Sequence, residues 1–386
     1  MIKEKDCDNM DRIFLATPHM SEEGYEKEYI KEAFDTNWIA PLGENVNKFE
    51  EELSQYVNCK TGAALSSGTA AIHLALKAAG VKKDDIVFCQ ALTFAATVNP
   101  VVYEGATPVF IDSEEETWNM DPKALRKAFE KYPSAKAVLV VNLYGNPAKL
   151  DEIKDICDEH GAVLIEDAAE SLGSIYKDRQ TGTFGKFGVF SFNGNKIITT
   201  SGGGMLVSND EEMIKKARFW STQSKENMPY YHHKEIGYNY RLSNICAGIG
   251  RGQLKVLNDR IDKKTEIFEK YKKEFEKISI FKMIPEPSFS KPNHWLSVML
   301  IDSEKIDAQE IIDHLQTKNI EARRVWKPMQ LQPVFENCDY IQVAEKSVSQ
   351  KLFELGICLP SDTKMSNEIQ EIVINEVLDL VNKKGV

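Results

Sequence analysis

From about residue 60 to residue 208 the chain alternates short apolar runs with stretches of helical period. AALS at 63–66 precedes TAAIHLALKAAG at 69–80, and DIVFCQ at 85–90 precedes TFAATVNPVVYEG at 93–105. PVFIDS at 108–113 leads to DPKALRKAFEKY at 121–132, with Asp121 as N-cap and Pro122 in the first turn. KAVLVVNLYG at 136–145 and AVLIED at 162–167 read as buried strands on either side of a helix over 148–161 that ends in glycine. FGVFSF at 187–192 and GGMLVSN at 203–209 predict a later strand pair. This alternation implies right-handed crossovers and a mostly parallel sheet covered by helices, an α/β fold.

The flanks differ in texture. Ahead of the alternating region stand a helix over 21–35 with Ser21 as its N-cap, a loop NWIAPLG at 37–43, and a helix over 45–57. Behind it a long charged helix over 254–278 reads as a bridge. PSFSKPNHW at 287–295 is loop. SVMLID at 297–302, EARRVW at 321–326 and GICLP at 356–360 are strand-like, with helices over 307–320, capped by Asp307, and from 366 onward. The expected organisation is a large domain over 1–254, with its lead-in helices, and a small α+β domain over 255–386 that begins with the bridging helix.

Composition narrows the function. The chain has 386 residues, 42% hydrophobic and 28% charged, with a net charge of −11. That acidic balance argues against nucleic acid or an anionic membrane as partner, though not against a local basic pocket. The apolar runs are far too short to span a bilayer, and the polar start MIKEKDCDNMD is not a signal peptide. Seven widely spaced cysteines, odd in number and without C-x-x-C, point to a reduced cytoplasmic chain with neither disulfide framework nor zinc cluster. His232, His233 and Glu235 read as solvated loop residues, so no metal is expected. G-x-x-G-x-x-G at 182–188 lacks the strand–helix context of a dinucleotide fingerprint.

Three segments carry chemistry together that none carries alone. In SSGTAAIHLAL at 66–76 a Ser-Gly-Thr turn opens a helix directly after a strand, a setting for a phosphate, with the Ser67 and Thr69 hydroxyls as added donors. In IEDAAES at 165–171 an acidic pair ends an apolar strand, where ligands bind in open α/β sheets. In FSFNGNKIITTSGGGML at 190–206, Lys196 lies in a glycine-flanked loop, five residues after Ser191 and 29 after Asp167. A phosphate turn, a carboxylate able to hold a cationic ring nitrogen and a lysine able to form a Schiff base are the parts that hold pyridoxal phosphate. Phe94, just after the next strand, is placed to stack on the ring face.

With these motifs in order, the chain resembles the DegT/DnrJ/EryC1/StrS family of pyridoxal-phosphate sugar aminotransferases, of fold type I. The resemblance runs from FLATPHMS at 14–21 to LPSDTKMS at 359–366 and includes LTFAAT, YGNPA and IGYNYRLSNICAGIG at 236–250. It implies that Lys196 links the cofactor and that Asp167 binds the ring nitrogen. It places Glu170, where the family often has Gln, near the phenolic oxygen, and Gly68, Thr69 and Ser191 at the phosphate. It implies that Asn239 reaches the cofactor phosphate of a partner subunit, hence a homodimer with shared active sites. NWIAPLG, FWSTQSKEN at 219–227 and RRVWKPMQLQPVF at 323–335 look most like the bacillosamine-pathway transaminase subfamily. By that likeness Asn37, Trp38, Ile39 and Ala40, with Arg324, Val325, Trp326 and Lys327, line the nucleotide-sugar site. The substrates implied are L-glutamate and a UDP-linked 4-keto-6-deoxy sugar. Gln330 departs from the subfamily's usual His. In a same-fold sugar dehydratase the lysine position is typically His, so Lys196 argues against that activity. Intact Lys196, Asp167 and Asn239 argue against a non-catalytic sensor.

Overall fold

In the computed structural model, which describes residues 11–385, the apolar runs form the strands of an eight-stranded sheet. In chain order the strands are β1 (Thr61–Leu65), β2 (Ile86–Gln90), β3 (Thr107–Ile111), β4 (Ala137–Val141), β5 (Val163–Asp167), β6 (Ile175–Tyr176), β7 (Arg179–Gln180), β8 (Phe187–Ser191) and β9 (Gly204–Ser208). They continue with β10 (Phe281–Met283), β11 (Ser290–Lys291), β12 (Ser297–Ile301), β13 (Arg323–Arg324), β14 (Tyr340–Ile341) and β15 (Gly356–Leu359). The helices are α1 (Tyr25–Asp35), α2 (Glu44–Tyr56), α3 (Gly68–Ala78), α4 (Ala95–Tyr103), α5 (Pro122–Lys131) and α6 (Leu150–His160). After them come α7 (Glu211–Ser221), α8 (Asn244–Lys255), α9 (Leu257–Phe275), α10 (Ala308–Thr317), α11 (Val348–Leu355) and α12 (Asn367–Lys383).

The large sheet runs β1-β9-β8-β5-β4-β2-β3-β14. Strands β8, β5, β4, β2, β3 and β14 pair parallel to one another, and β9 alone is antiparallel to its neighbours β1 and β8. Alternate residues of each central strand feed opposite cores, as the pleat requires. Val87, Cys89, Ala137, Leu139 and Ile165 pack on the side of α3, α4 and α7. Phe88, Val138, Val140 and Leu164 pack on the side of α5 and α6. Asp121 caps α5 as its sequence predicts, accepting from Lys123 N–H, and α6 ends on a left-handed Gly161. A four-stranded antiparallel sheet, β10-β12-β15-β13, packs with α9, α10 and α12 into a third core.

Four expectations change in detail. The first helix starts at Tyr25, not at 21, because Gly24 takes a left-handed φ of 79° at the N-cap; Ser21 Oγ instead accepts from Tyr25 N–H (3.0 Å) and donates to the buried Glu26. The charged helix does not run unbroken from 254 to 278: Val256 leaves helical geometry between α8 and α9, which ends at Phe275. The 321–326 strand shrinks to Arg323–Arg324. Regular strand alternation does not hold around it, since Val325 turns into the core while Arg323 and Lys327, two residues to either side, are exposed. Helices α7, α8 and α11 and strand β14 were not foreseen. The six described cysteines are unpaired; Cys7 and the polar start of the chain lie outside the described residues. Among the described residues no helix is long and apolar enough to cross a membrane.

Candidate active site

The parallel strands converge with their carboxyl ends on one cavity of about 620 Å³, between the large sheet and the segment that follows β13. A parallel α/β sheet opens its ligand crevice at this edge. Four of the site's parts lie on different elements.

At one end is the N-terminus of α3. Ser67 is its N-cap in extended geometry, with Oγ accepting from Ala70 N–H (3.0 Å). Gly68 and Thr69 line the cavity beside Ser191, the last residue of β8. A Cβ on Gly68 would lie 3.1 Å from Ser191 Cβ, so the helix start and the strand end abut. Gly204, across from Ser191 in the β8–β9 ladder, lets β9 approach the Ser67–Gly68 backbone so closely that any side chain would collide with it. The first turn of α3 carries no acidic residue, so beyond the capped Ala70 N–H no carboxylate of the helix itself counters its N–H groups and dipole.

The floor is acidic and buried. β5 ends in two carboxylates, and strand alternation sends them to opposite faces. Glu166 turns away: its carboxylate accepts from the N–H groups of Gly182 (2.8 Å), Phe184 and Gly185 (2.7 Å), which is what the glycine repeat at 182–188 serves. Asp167 faces the cavity. Its Oδ2 accepts from Thr97 Oγ1 (2.7 Å), which in turn contacts Thr93 Oγ1 (2.7 Å), and its Oδ1 accepts from Ala169 N–H (3.1 Å). Burial pushes the Asp167 carboxyl above its ordinary value, partly countered by the Thr97 hydrogen bond. Glu170 is buried too, and burial likewise raises it, against the pull of Lys196. Its Oε2 accepts from Tyr144 N–H (2.8 Å) and its Oε1 lies 3.3 Å from Lys196 Nζ. That amine also sits 4.0 Å above the ring of Trp295.

At the mouth stand Phe94, 55% exposed, and Trp326, whose rings meet edge to face at 4.5 Å. Phe94 is not packed in the core; it is the extended residue that begins α4. Trp326 N–H donates to the hydroxyl of the buried Tyr144 (3.0 Å). Arg324, Val325 and Lys327 also line the cavity. The Arg324 guanidinium is already engaged by Gln309 Oε1 (3.1 Å) and the Glu354 carbonyl (3.1 Å), and Val325 is buried against Gly356. Lys327 is exposed.

Five sequence-derived site residues lie elsewhere. Asn37, Trp38, Ile39 and Ala40 form an exposed loop tied to the start of α8, where Asn244 donates to the carbonyls of Trp38 (2.8 Å) and Ala40 (2.9 Å). Asn239 is exposed and bridges Thr222 beside the end of β1, outside the cavity of its own chain. Gln330 also stays out, its Nε2 donating to Ser349 Oγ (3.1 Å). Glu235 is occupied by Lys216 and by Trp220 Nε1 (2.8 Å), and His233 contacts the Gln223 carbonyl. Conversely, Thr97, Tyr144 and Trp295 reach the site without having been foreseen. Thr97 had a signal, since it lies one helical turn after Thr93; Tyr144 and Trp295 sit in segments whose pattern says only strand end and loop.

The chain resembles known proteins over most of its length. The DegT/DnrJ/EryC1/StrS aminotransferase family matches residues 20–378. EpsN of Bacillus subtilis, assigned as a pyridoxal phosphate-dependent aminotransferase, is 52% identical over 374 residues, 96% of each chain. The GDP-perosamine synthase of Escherichia coli O157:H7 is 36% identical over 356 residues, 92% of this chain and 95% of that one. The UDP-4-amino-4,6-dideoxy-N-acetyl-beta-L-altrosamine transaminase of Campylobacter jejuni is 36% identical over 290 residues, 74% of this chain and 77% of that one. The solved structure of Helicobacter pylori PseC, an aminotransferase involved in the biosynthesis of pseudoaminic acid, shares the fold with a TM-score of 0.87 at 24% identity, covering 96% of this chain and 99% of that one. The chain therefore belongs to the DegT/DnrJ/EryC1/StrS aminotransferase family and is an aminotransferase dependent on pyridoxal phosphate.

Proposed function

We propose that the protein transfers the amino group of L-glutamate to the C4 keto group of a UDP-linked 4-keto-6-deoxy-N-acetylhexosamine. The product would be UDP-4-amino-4,6-dideoxy-N-acetylglucosamine, made in the cytoplasm for surface glycan or glycoprotein synthesis. The observation that carries the aminotransferase chemistry is the buried floor, where Asp167, Glu170 and the Lys196 amine share one cavity with a helix N-terminus. The donor set fits the cofactor: an uncompensated helix start with Ser67, Thr69 and Ser191 for its phosphate, a buried carboxylate for its ring nitrogen and an amine for its carbonyl.

Pyridoxal phosphate, when bound, supplies the carbonyl that takes up the amino group and a ring that spreads the developing negative charge. The chain's own residues do the rest. Asp167, with its rotamer fixed by Thr97 and Ala169 N–H, keeps a negative charge against the ring nitrogen. A cationic partner there offsets the burial that otherwise favours its neutral form. Gly68, Thr69 and Ser191 hold the phosphate end. Phe94 covers a ring face from the mouth. Glu170, whose Oε2 is taken by Tyr144 N–H, directs its Oε1 at the lysine and the phenolic side. The Lys196 amine, once free of the cofactor, would take a proton from the substrate carbon and return one, as base and then as acid.

The nucleotide sugar enters over Trp326 and Lys327. Asn37, Trp38, Ile39, Ala40 and Asn239 reach a site only if a second chain presents them, so the reading includes a homodimer in which each cavity is completed by its partner. The exposed Phe34, Trp38, Ile39 and Leu42 around the 37–43 loop support this.

A second reading is a GDP-linked 4-keto-6-deoxy sugar, favoured by the perosamine synthase likeness over 92% of the chain. Glutamate-dependent amine transfer, assayed on UDP-, GDP- and dTDP-linked 4-keto-6-deoxy sugars with products identified by mass and NMR, decides between them. Preferred turnover of the UDP-N-acetyl substrate supports the proposal, and preferred turnover of the GDP sugar replaces it.

A further inference from the structure

The PNHW segment, which sequence pattern reads as loop, carries a dense set of contacts around the active lysine. Trp295 is 2% exposed, and each polar group of the residue is engaged. Its N–H donates to Asn293 Oδ1 (2.9 Å), and its indole Nε1 donates to the carbonyl of Asn195 (2.7 Å), the residue before Lys196. Its own carbonyl accepts from Lys264 Nζ (2.8 Å). Tyr144 lies nearly parallel to the indole, ring centroids 6.3 Å apart, and Lys196 Nζ stands 4.0 Å over the ring.

Both flanks of this segment are anchored as well. Asn293, fully buried, donates from Nδ2 to the carbonyls of Glu170 (3.0 Å) and Leu172 (2.9 Å), so the same turn that sets the indole also sets the backbone of Glu170. His294 holds a left-handed φ of 50° between them and stacks on Phe268 of α9 at 4.1 Å. Lys264, also on α9 and 4% exposed, has no carboxylate within ion-pair distance among the described residues; its ammonium spans the carbonyls of Trp295 and Ser361. A buried lysine spent on two carbonyls is a costly way to hold a loop. It is intelligible if the position of Trp295 matters.

We infer that Trp295 is a positioning residue for Lys196: its ring face and the Glu170 carboxylate form the rest position of the lysine amine whenever that amine is not linked to the cofactor. The charged groups that face Lys196 there are Glu170 and, deeper, Asp167. A ring face attracts an ammonium and holds it in place without making a covalent demand on it. The indole bond to Asn195 fixes the loop that carries the lysine. Lys264 acts one step further out, by fixing Trp295. This inference rests on the reading of Lys196 as the cofactor-linked lysine.

The test uses the holoenzyme after L-glutamate has converted its cofactor to the amine form, which frees Lys196. A short pulse of acetic anhydride is followed by mass spectrometry of the Lys196 peptide, normalised to exposed lysines. In the wild type, glutamate should raise labelling of this peptide; if it does not, the cofactor link itself is misassigned, and that failure is separate from the present one. With the link intact, Trp295→Leu should label about three- to tenfold faster than wild type, because the amine loses the ring that holds it in place against Glu170. Trp295→Phe, which keeps a ring face, should stay near wild type. Where Trp295→Leu does not give the native circular dichroism spectrum, Trp295→Met, longer and equally ringless, takes its place. Equal labelling of the ringless and Phe variants, whether both slow or both fast, would overturn the inference, because packing alone would then account for the residue.

Discussion

The floor and the mouth of the cavity are built on opposite terms. At the floor every functional group already has its partner within one chain: Asp167 has Thr97 and Ala169 N–H, Glu170 has Tyr144 N–H, and Lys196 has Glu170 and Trp295. At the mouth the cation assigned to substrate, Arg324, is occupied by Gln309 and Glu354, and the residues 37–40 face solvent away from the cavity, as does Asn239, the residue expected at a partner's cofactor phosphate. The ring end of the cofactor site is therefore preorganised in cis, whereas in the reading proposed above the phosphate end, through Asn239, and the substrate end take residues from a second chain. Preorganised, water-excluded groups carry large electrostatic effects on catalysis. Groups that touch only the nucleotide sugar should show up mainly in binding.

The largest break should come at the floor. Lys196→Ala removes the group that moves the proton and should lower turnover on the order of 10⁴-fold while leaving the circular dichroism spectrum unchanged. Multiple turnover at the wild-type rate would remove Lys196 from its role. Asp167→Asn keeps the shape and the Thr97 bond but cannot favour a cationic ring nitrogen, so both half-reactions should slow by about 10²-fold. Single-turnover absorbance changes with glutamate and with keto sugar would read this directly.

The mouth should respond differently. Lys327→Ala should raise KM for the nucleotide sugar roughly tenfold with the glutamate half-reaction nearly intact. Arg324→Ala should do less, since its guanidinium is spent on its own chain. Equal damage to both half-reactions from Lys327→Ala would show that floor and mouth are not separable.

A smaller effect concerns stability and sharpens the contrast from outside. Burial lowers Lys264 from about 10.5 to about 8. A base whose folded value is depressed binds fewer protons folded than unfolded, so stability rises with pH across this window. Below about pH 8 the ammonium is carried in both states and its burial costs stability; the cost is relieved as pH climbs from about 8 to 10.5. Relative to Lys264→Met, the wild type should gain up to about 3 kcal/mol over that interval in denaturant unfolding curves. A pH-independent difference between the two proteins would mean that Lys264 is not buried as an ammonium.

Much of this was legible in the sequence where local pattern and function coincide. The strands of the large sheet are apolar runs with turn signals, and Ser67, Asp167 and Lys196 sit at strand ends or strand-flanked turns, positions that a linear reading can find. What was missed depends on contacts between distant segments. Lys264 lies among KKTEIFEKYKK and reads as solvated, yet the fold closes over it. Helix α8 was hidden by Gly248, Gly250 and Gly252, poor helix formers by propensity. They are required because α1 and α2 pack so closely that a Cβ at 250 would lie 2.6 Å from the Phe49 ring and one at 252 would lie 2.6 Å from the Glu26 nitrogen. Tyr144 reaches the site by a left-handed φ of 55° at the end of its strand, which no periodicity announces. The short β13 was overread because Val325 belongs to the core while the arginines beside it do not.

The proposed sharing of sites, with Lys196 acting in its own chain and Asn239 reaching a partner's cofactor phosphate, is tested most directly by subunit mixing. Lys196→Ala lacks its own lysine but offers Asn239 to a partner; Asn239→Asp has the reverse defect. Each alone should be nearly inactive. Unfolded together in equal amounts and refolded, or exchanged over time, half of the dimers would be mixed, and each mixed dimer would hold one cavity with both residues intact. The account predicts recovery to roughly a quarter of wild-type activity, scaling with the measured fraction of mixed dimers. Mixed dimers verified by native mass spectrometry that stay inactive would contradict it, and Asn239 would have to act within its own chain or not at all.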